Sequence, residues 1–242
     1  MIVLCVGMPR AGSGWHYNLV HDLMQTTGCA DARDIRRRYH LENILTEVNC
    51  NIGVLSARRL ARVSLPALAG HTFVIKAHAG PTPASRLLAR AGLLRISYIY
   101  RDPRDAMLSA FNYGQRALSK GRPNAFSHLT DFDRTLDFIT DYIHIWEAWM
   151  RERGVLVSRY EDLLTNYAAE AQRLAAYLGL EVERPEVRAV IEQYQPGRAE
   201  GQPGLHYYRG QIGRFRQSYS AEQQEILAAR LGAYLSKMGY AA

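Results

Sequence analysis

Short apolar runs alternate with helix-type patterns along the whole chain. The runs at residues 2–7, 72–76, 94–100 and 155–157 are rich in β-branched and aromatic side chains, and each is bounded by polar residues or turn signals. Such continuous apolar runs are typical of parallel strands buried on both faces. Because strands and helices alternate, the pattern predicts a three-layer α/β fold. A central parallel sheet of four to five strands would have helices on both of its faces.

The helix-type patterns and their start and stop signals complete this picture. They predict helices at residues 13–25, 56–65, 82–91, 103–117, 131–151, 166–178 and 186–194, and a last helix that begins after Ser220. Ser220 and Gln223 form a capping-box pattern at the start of that last helix. Residues 118–130 and 195–219 contain glycine, proline and polar residues and are predicted to be irregular.

Composition limits the class of protein. The chain of 242 residues fits one domain covering residues 1–242. It has no apolar run long enough for a membrane span, and its start reads as a strand rather than a signal peptide, so a cytoplasmic location is expected. Cys5, Cys29 and Cys50 are widely spaced, which predicts neither a disulfide framework nor a metal cluster. Cys5 lies within an apolar run and is interpreted as a buried, unreactive thiol.

The formal net charge of +7 favours an anionic partner. Nucleic acid, acidic lipid and a phosphorylated cofactor all satisfy it, and so does a positively charged surface that merely faces solvent. Charge alone therefore leaves the partner open.

The loop after the first strand has the character of an anion site. Residues 7–14 read Gly-Met-Pro-Arg-Ala-Gly-Ser-Gly and lead directly into a helix. Backbone N–H groups and the helix N-terminus in such a loop bind phosphate-type anions. The spacing from Gly7 to Gly12 matches a Walker A loop, but Ser13 stands where that loop requires lysine. The loop is thus P-loop-like, with its cation at Arg10 instead, and a tight turn without a ligand is the alternative interpretation.

Two further strands are followed by residues with suitable chemistry. Arg101 comes just after the strand at 94–100, and Ser109 lies on the following helix, where the two could meet on one phosphate. Lys76 ends the strand at 72–76, and His78 follows it. A lone histidine is more often structural, but here it falls at the strand ends where ligands of such folds bind.

These segments together resemble the PAPS-dependent sulfotransferases, which use 3′-phosphoadenosine 5′-phosphosulfate. Residues 9–15, Pro-Arg-Ala-Gly-Ser-Gly-Trp, are similar to the family's 5′-phosphosulfate loop, Pro-Lys-Ser-Gly-Thr-Thr-Trp. Arg10 replaces the lysine and Gly14 replaces a threonine, so one hydroxyl is absent. The resemblance implies that the donor contacts a continuous stretch of this loop, with Trp15 near the adenine. That stretch is Arg10, Ala11, Gly12, Ser13, Gly14 and Trp15.

The segment at residues 101–109 is similar to the family's 3′-phosphate motif. The resemblance implies that Arg101 and Ser109 bind the 3′-phosphate. Asp102, Arg104 and Asp105 are interpreted as structural, through the helix start, surface pairing and helix N-terminal charge respectively.

The remaining catalytic residues also come from the resemblance. Lys-Ala-His is similar to the family's Lys-Thr-His, which implies His78 as the catalytic base. Lys76 and Arg10 would stabilise charge on the departing oxygen.

Weaker matches lie later in the chain. Tyr160 occupies a segment similar to the family's Tyr-Glu-Asp, which implies contact with adenine, although a core tyrosine is also consistent. Residues 208–210, Tyr-Arg-Gly, are similar to an Arg-Lys-Gly element, which implies Arg209 and Gly210 as 3′-phosphate ligands. Tyr208 lacks the first cation of that element, and either Arg214 or Arg216 is available to replace it. Trp146 and Trp149 are expected to pack in the core.

The implied activity is in-line transfer of a sulfuryl group from PAPS to a hydroxyl or amine of a small-molecule, glycan or lipid acceptor. PAP would be the product and no metal would be needed. No nucleic-acid partner is expected, and the chain would be a monomer or a weak homodimer. A P-loop kinase or NTPase, and a non-catalytic nucleic-acid- or anion-binding module, are the alternatives. The acceptor's walls would come from residues 31–70 and 115–130, which match no known pattern.

Overall fold

A parallel sheet of four strands organises the part of the chain that the structure describes. The computed structural model describes residues 1–197 and 210–241. The strands are β1 (Ile2–Gly7), β2 (Phe73–Ala77), β3 (Leu94–Tyr100) and β4 (Leu156–Arg159). They pair in the order β2-β1-β3-β4, and every pairing is parallel. The predicted fold class is therefore confirmed, with four strands.

Helices fill the connections between the strands. The first half of the chain contains α1 (Ser13–Gln25), α2 (Ala32–Arg38), α3 (Ala57–Leu68), α4 (Pro83–Arg90) and α5 (Pro103–Ser119). The second half contains α6 (Phe132–Met150), α7 (Tyr160–Thr165), α8 (Tyr167–Leu178), α9 (Pro185–Gln193), α10 (Phe215–Ser218) and α11 (Ala221–Lys237).

Most boundaries agree with the sequence prediction. Ser220 caps α11 in the expected capping box with Gln223. The sequence pattern did not predict α7, because its six residues follow β4 directly and are too short to show a helical period. The helix after Pro103 runs two residues further than predicted, to Ser119.

The sheet separates two hydrophobic clusters, which makes the fold three-layered. Alternate residues of a strand point to opposite faces. Leu4 and Ile75 belong to the cluster shared with α2, α3, α6 and α11, whereas Val3 and Val74 belong to the cluster shared with α1, α8 and α9. Trp146 and Trp149 pack in the first cluster, as expected. Cys5 lies in the second, where burial raises the pKa of its thiol to about 12 and keeps it unreactive.

The strand order places a switch point beside β1. The chain moves from β1 to β2 on one side and then returns to β3 on the other side. In sheets of this kind ligands bind beyond the carboxyl ends of the strands at such a point. The residues that follow β1, β2 and β3 therefore share one edge. In the ranges that the structure describes, no helix is both long and apolar enough to span a bilayer.

One glycine brings the segment after α5 close to that helix. A Cβ added to Gly114 would lie 2.2 Å from the backbone oxygen of Phe126. Contact this close requires glycine, since the neighbouring atom belongs to the backbone and cannot turn away. Gly114 thereby fixes where Phe126 lies relative to α5.

We predict that Gly114→Ala lowers the free energy of unfolding by about 1–3 kcal/mol, because the added methyl forces α5 and residue 126 apart. In an ordinary helix interior the same change would raise stability by up to about 1 kcal/mol. Gly80→Ala is the matched control, since its Cβ would meet only Ile145 Cγ1 at 3.8 Å. Urea denaturation measures both variants, and equal stabilities would contradict the packing described.

Candidate active site

The loop between β1 and α1 depends on two close approaches. Gly12 has a φ of 75° and precedes the first residue of α1. A Cβ there would lie 2.5 Å from the ring of Tyr160, so any larger residue would displace that ring. A Cβ on Gly7 would lie 2.7 Å from Ile99 Cγ2 on β3. These contacts hold the N-terminus of α1, with its partial positive charge, at the carboxyl edge of the sheet.

A cavity of about 210 Å³ lies at this edge and gathers residues from all four strand ends. Arg10, Gly12, Ser13, Gly14 and Trp15 come from the loop and helix after β1. The other predicted site residues that line it are Lys76, His78, Arg101, Ser109 and Tyr160. Residues far apart in sequence thus form one site.

The two segments that were predicted to bind phosphate contact each other directly. Arg10 Nε donates a hydrogen bond to Ser109 Oγ at 3.3 Å. The Arg10 guanidinium also lies over the Tyr113 ring, with its carbon 4.3 Å from the ring centroid. Arg10 has a left-handed backbone, with a φ of 64°, which is uncommon for a residue with a side chain. The loop cation and the predicted 3′-phosphate ligand therefore belong to the same cavity.

Arg101 is held in place by residues around it. It is 8% exposed, and its guanidinium carbon lies 4.5 Å from the centroid of Tyr160. Nη2 donates to Asp105 Oδ2 at 3.2 Å and to the Gln211 carbonyl at 2.6 Å. Its buried Nε–H has no acceptor among the described residues. A buried donor without an acceptor is costly, so this N–H is suited to an anionic ligand.

His78 is fixed in one orientation. Its Nδ1 lies 2.5 Å from the carbonyl oxygen of Gly7, so Nδ1–H donates and Nε2 is left unprotonated. Burial, assisted by the nearby Lys76, lowers the pKa of His78 to about 4. The imidazole is therefore neutral at pH 7 and has a lone pair available on Nε2.

Positive charge is concentrated in the cavity. Burial, assisted by the nearby Arg10, lowers the pKa of Lys76 to about 8. Burial also lowers the pKa of the Arg10 guanidinium. Among the described residues no carboxylate lines the cavity. Cations that are crowded together and partly desolvated favour a polyanionic ligand.

Two aromatic residues that were expected to contact adenine are largely buried. Trp15 is 1% exposed, stacks on Tyr167 at a centroid distance of 5.9 Å, and donates from Nε1 to the Tyr194 carbonyl. Tyr160 lies between Gly12 and Arg101 and is 5% exposed. Both nevertheless line the cavity, so each packs in the core and also borders the cavity.

The interpretation of Arg104 as a surface pair is wrong. Arg104 is 6% exposed, pairs with Asp102 at 2.9 Å, and lies over the Phe215 ring at 4.1 Å. It also donates to the Ala241 carbonyl at 2.7 Å. The C-terminal segment covers it, which no local pattern in the sequence indicates.

The other two residues of this group are structural, as predicted. Asp102 caps α5 by accepting from Arg104 N–H. Asp105 has a further role that was missed, because it accepts hydrogen bonds from the backbone N–H groups of Gly213 and Phe215.

Three predicted ligands are not placed against this cavity. Ala11 is fully buried and does not line the cavity, and its side chain has no polar atom that could bind a ligand. Gly210 is described, with a φ of 50°, but it does not line the cavity either. Arg209 lies outside the described residues, as does Tyr208.

Three residues that line the cavity belong to none of the motifs matched in the sequence. They are Asn49, Tyr113 and Phe126. Tyr113 lies one helical turn beyond Ser109, so the spacing on α5 could have indicated it. Asn49 and Phe126 fall within the two ranges expected to form acceptor walls, but no local signal marked them. Among the described residues, no group of three or more His, Cys, Asp or Glu side chains is arranged to hold a metal ion.

A three-layer α/β fold with a cationic cavity at its switch point is suited to binding an anionic ligand. A model of the "Sulfotransferase domain" family matches residues 2–196. The chain therefore belongs to the sulfotransferase domain family.

Individual relatives are distant. A rabbit (Oryctolagus cuniculus) protein, "Amine sulfotransferase", is 22% identical over 105 residues, which are 41% of this chain and 34% of that protein. The match thus spans about a third of the length of this curated relative.

Solved structures share the fold. A mouse sulfotransferase complexed with PAP has a TM-score of 0.62 and 13% identity, covering 97% of this chain and 84% of that one. Retinol dehydratase with retinol and PAP has a TM-score of 0.64 and 17% identity, covering 97% of this chain and 81% of that one. Retinol dehydratase with androsterone and inactive cofactor PAP has a TM-score of 0.62 and 17% identity, covering 97% and 80%.

We predict that His78 in the unliganded protein is neutral above about pH 5 and protonated at Nδ1, because burial disfavours the imidazolium and Gly7 accepts from that nitrogen. Nitrogen-15 NMR of labelled histidine, with His78→Gln for assignment, measures both properties. An ordinary pKa near 6.5, or a proton on Nε2, would contradict the geometry.

Proposed function

We propose that the chain transfers a sulfuryl group from PAPS to a hydroxyl or amine of a small-molecule, glycan or lipid acceptor. The observation that carries the proposal is the convergence of Arg10, Lys76 and Arg101 on one cavity without a lining carboxylate among the described residues. Membership of the sulfotransferase domain family supports it. PAP in the solved structures of similar fold supports the choice of donor.

The donor's two ends would be bound by different motifs. The N-terminus of α1 with Ser13 and Gly14 suits the 5′-phosphosulfate, because first-turn N–H groups have no acceptor within their own helix. Arg101 and Ser109 suit the 3′-phosphate, and the face of the Tyr160 ring packs against the Arg101 guanidinium. Arg10 lies between the two ends, hydrogen-bonded to Ser109.

The chemical step is a displacement at sulfur. The acceptor oxygen or nitrogen forms a bond to sulfur while the bond from sulfur to the bridging phosphate oxygen breaks. The electron pair of the broken bond stays on that oxygen, and PAP leaves. Lys76 and Arg10 stabilise the charge that develops there, as electrostatic groups do in phosphoryl transfer. In this proposal the positive charge comes from the chain rather than from a metal.

His78 would accept the proton that the acceptor loses. Its Nδ1–H is committed to Gly7, so Nε2 is the basic atom. In the unliganded site the pKa of His78 is about 4, which makes it a weak base. Binding of the polyanionic donor beside Lys76 opposes that shift, because a nearby negative charge favours the protonated imidazole. The donor would therefore activate the base.

The acceptor would enter beside Asn49, Tyr113 and Phe126, which line the cavity with His78. The Tyr113 and Phe126 rings meet edge to face at 5.7 Å. An acceptor with an apolar or aromatic portion beside its hydroxyl or amine fits such walls.

The wider properties expected from the sequence belong to the same proposal. The chain would act as a single domain, as a monomer or weak homodimer, in the cytoplasm.

We predict that His78→Ala lowers the rate of sulfuryl transfer by about 10²–10⁴-fold while PAP affinity stays nearly unchanged, because only the proton acceptor is removed. The measurement is transfer from labelled PAPS to a panel of acceptors, together with PAP titration. His144→Ala, an exposed histidine on α6, is the control. Equal activity of the two variants would rule out His78 as the base.

The competing kinase or NTPase function makes a different prediction. PAP at about 100 times its Kd should stabilise the fold by about 2.7 kcal/mol, whereas ATP with Mg²⁺ should not. Thermal denaturation with each nucleotide separates the two. Stabilisation by Mg²⁺–ATP alone would favour the kinase or NTPase. In that case the loop would bind ATP with Ser13 in place of the usual lysine. Binding that depends steeply on salt, without selectivity for a 3′-phosphate, would favour the non-catalytic module.

A further inference from the structure

A second cavity lies behind the two predicted 3′-phosphate ligands. It has a volume of about 410 Å³ and shares Arg101 and Ser109 with the nucleotide cavity. Arg116 on α5 forms one wall, and Gln211 and Arg214 lie in the other. No Asp or Glu lines it within the part of the chain that the structure describes. A group bound between Arg101 and Ser109 would therefore face cations on both sides.

The backbone around Arg214 is anchored to the start of α5. Asp105 accepts from Gly213 N–H at 2.7 Å and from Phe215 N–H at 3.1 Å. Arg101 donates to the Gln211 carbonyl at 2.6 Å. Phe215 is 4% exposed. Residues of the 3′-phosphate motif thus fix the position of the segment that carries Arg214.

The Arg214 guanidinium differs from its cationic neighbours in having no competing partner. Arg101 forms an ion pair with Asp105 at 3.2 Å, and Arg116 Nε donates to the Asn112 carbonyl at 3.2 Å. Arg214 is half-buried, and its side chain has neither an ion pair nor a hydrogen bond among the described residues. Its full charge and all of its donors are available to a ligand.

Arg216 is on the same segment but faces elsewhere. It stacks on Phe215 at 4.8 Å and lines a different cavity, together with Asp102 and Glu161. Carboxylates in that wall make it unsuitable for a phosphate. Of the two arginines that the sequence left open, the geometry thus favours Arg214.

On the basis of the proposed function, we propose that Arg214 binds the 3′-phosphate of the donor and sets the preference for a 3′-phosphorylated nucleotide. Arg214 supplies the positive charge that is missing because Tyr208 stands at the first position of the Arg-Lys-Gly element. An arginine is suited to this role because its planar group binds phosphate through two parallel hydrogen bonds.

The test is calorimetric titration of the full chain with PAP and with ADP, which lacks the 3′-phosphate. We expect Arg214→Ala to weaken PAP binding by about 10–100-fold, the loss expected for a charged hydrogen bond, and to change ADP binding by less than about twofold. Arg214→Gln keeps part of the stem and a hydrogen-bond donor but not the charge. It is the variant to measure if Arg214→Ala is unstable, and we expect the same loss of selectivity. Arg216→Ala is the matched control and should keep the wild-type preference.

Each other outcome overturns the inference. Unchanged selectivity in Arg214→Ala and Arg214→Gln, or an equal loss in Arg216→Ala, would show that Arg214 does not contact the 3′-phosphate. Equal weakening of PAP and ADP would show that the substitution disturbs the whole site instead. If the wild-type chain does not prefer PAP over ADP, the proposed function fails together with this inference. If only the variants disagree, the function stands.

Discussion

The site depends on one constraint, which is that three cations meet at one edge of the sheet. Lys76 and Arg101 are buried and Arg10 is half-buried, and no carboxylate lines the described wall of their cavity, although Asp105 pairs with Arg101 from outside it. The carboxyl ends of β1, β2 and β3 lie side by side, so Arg10, Lys76 and Arg101 are brought together whenever the sheet forms. Their mutual repulsion and desolvation are unfavourable for the unliganded fold. A polyanion relieves both, so the same arrangement that weakens the empty protein favours a doubly phosphorylated ligand.

Close packing fixes the positions of these charged side chains. Gly12 lets the loop lie against Tyr160, and Tyr160 in turn supports Arg101. Asp105 holds Arg101 and the backbone on both sides of Arg214. The Gly7 carbonyl, at the end of β1, fixes the His78 tautomer. The proposed anion site, the proposed base and the late segment of the chain are therefore positioned by the same few contacts.

The sequence pattern predicts well those elements that depend on interactions between residues close together in the chain. The strand, loop and helix of residues 2–25 were predicted within a residue, since an apolar run, glycines and a helical period follow one another directly. The candidate phosphate ligands followed from their places near strand ends together with the resemblance of their segments to the sulfotransferase motifs. The sequence pattern did not predict features that depend on contacts between distant parts of the chain. The burial of Arg104 under Phe215 and Ala241, and the arrival of Asn49 and Phe126 at the cavity, depend on chain segments distant in sequence. The short helix α7 had too few residues to show a period.

A crystal structure of the chain with PAP would show whether a single nucleotide bridges the two arginine motifs. We expect one nucleotide whose 5′-phosphate lies at the N-terminus of α1 and whose 3′-phosphate lies within hydrogen-bond distance of Arg101 and Ser109. Electron density that placed the two phosphates in separate cavities, or the nucleotide away from both arginine motifs, would contradict it.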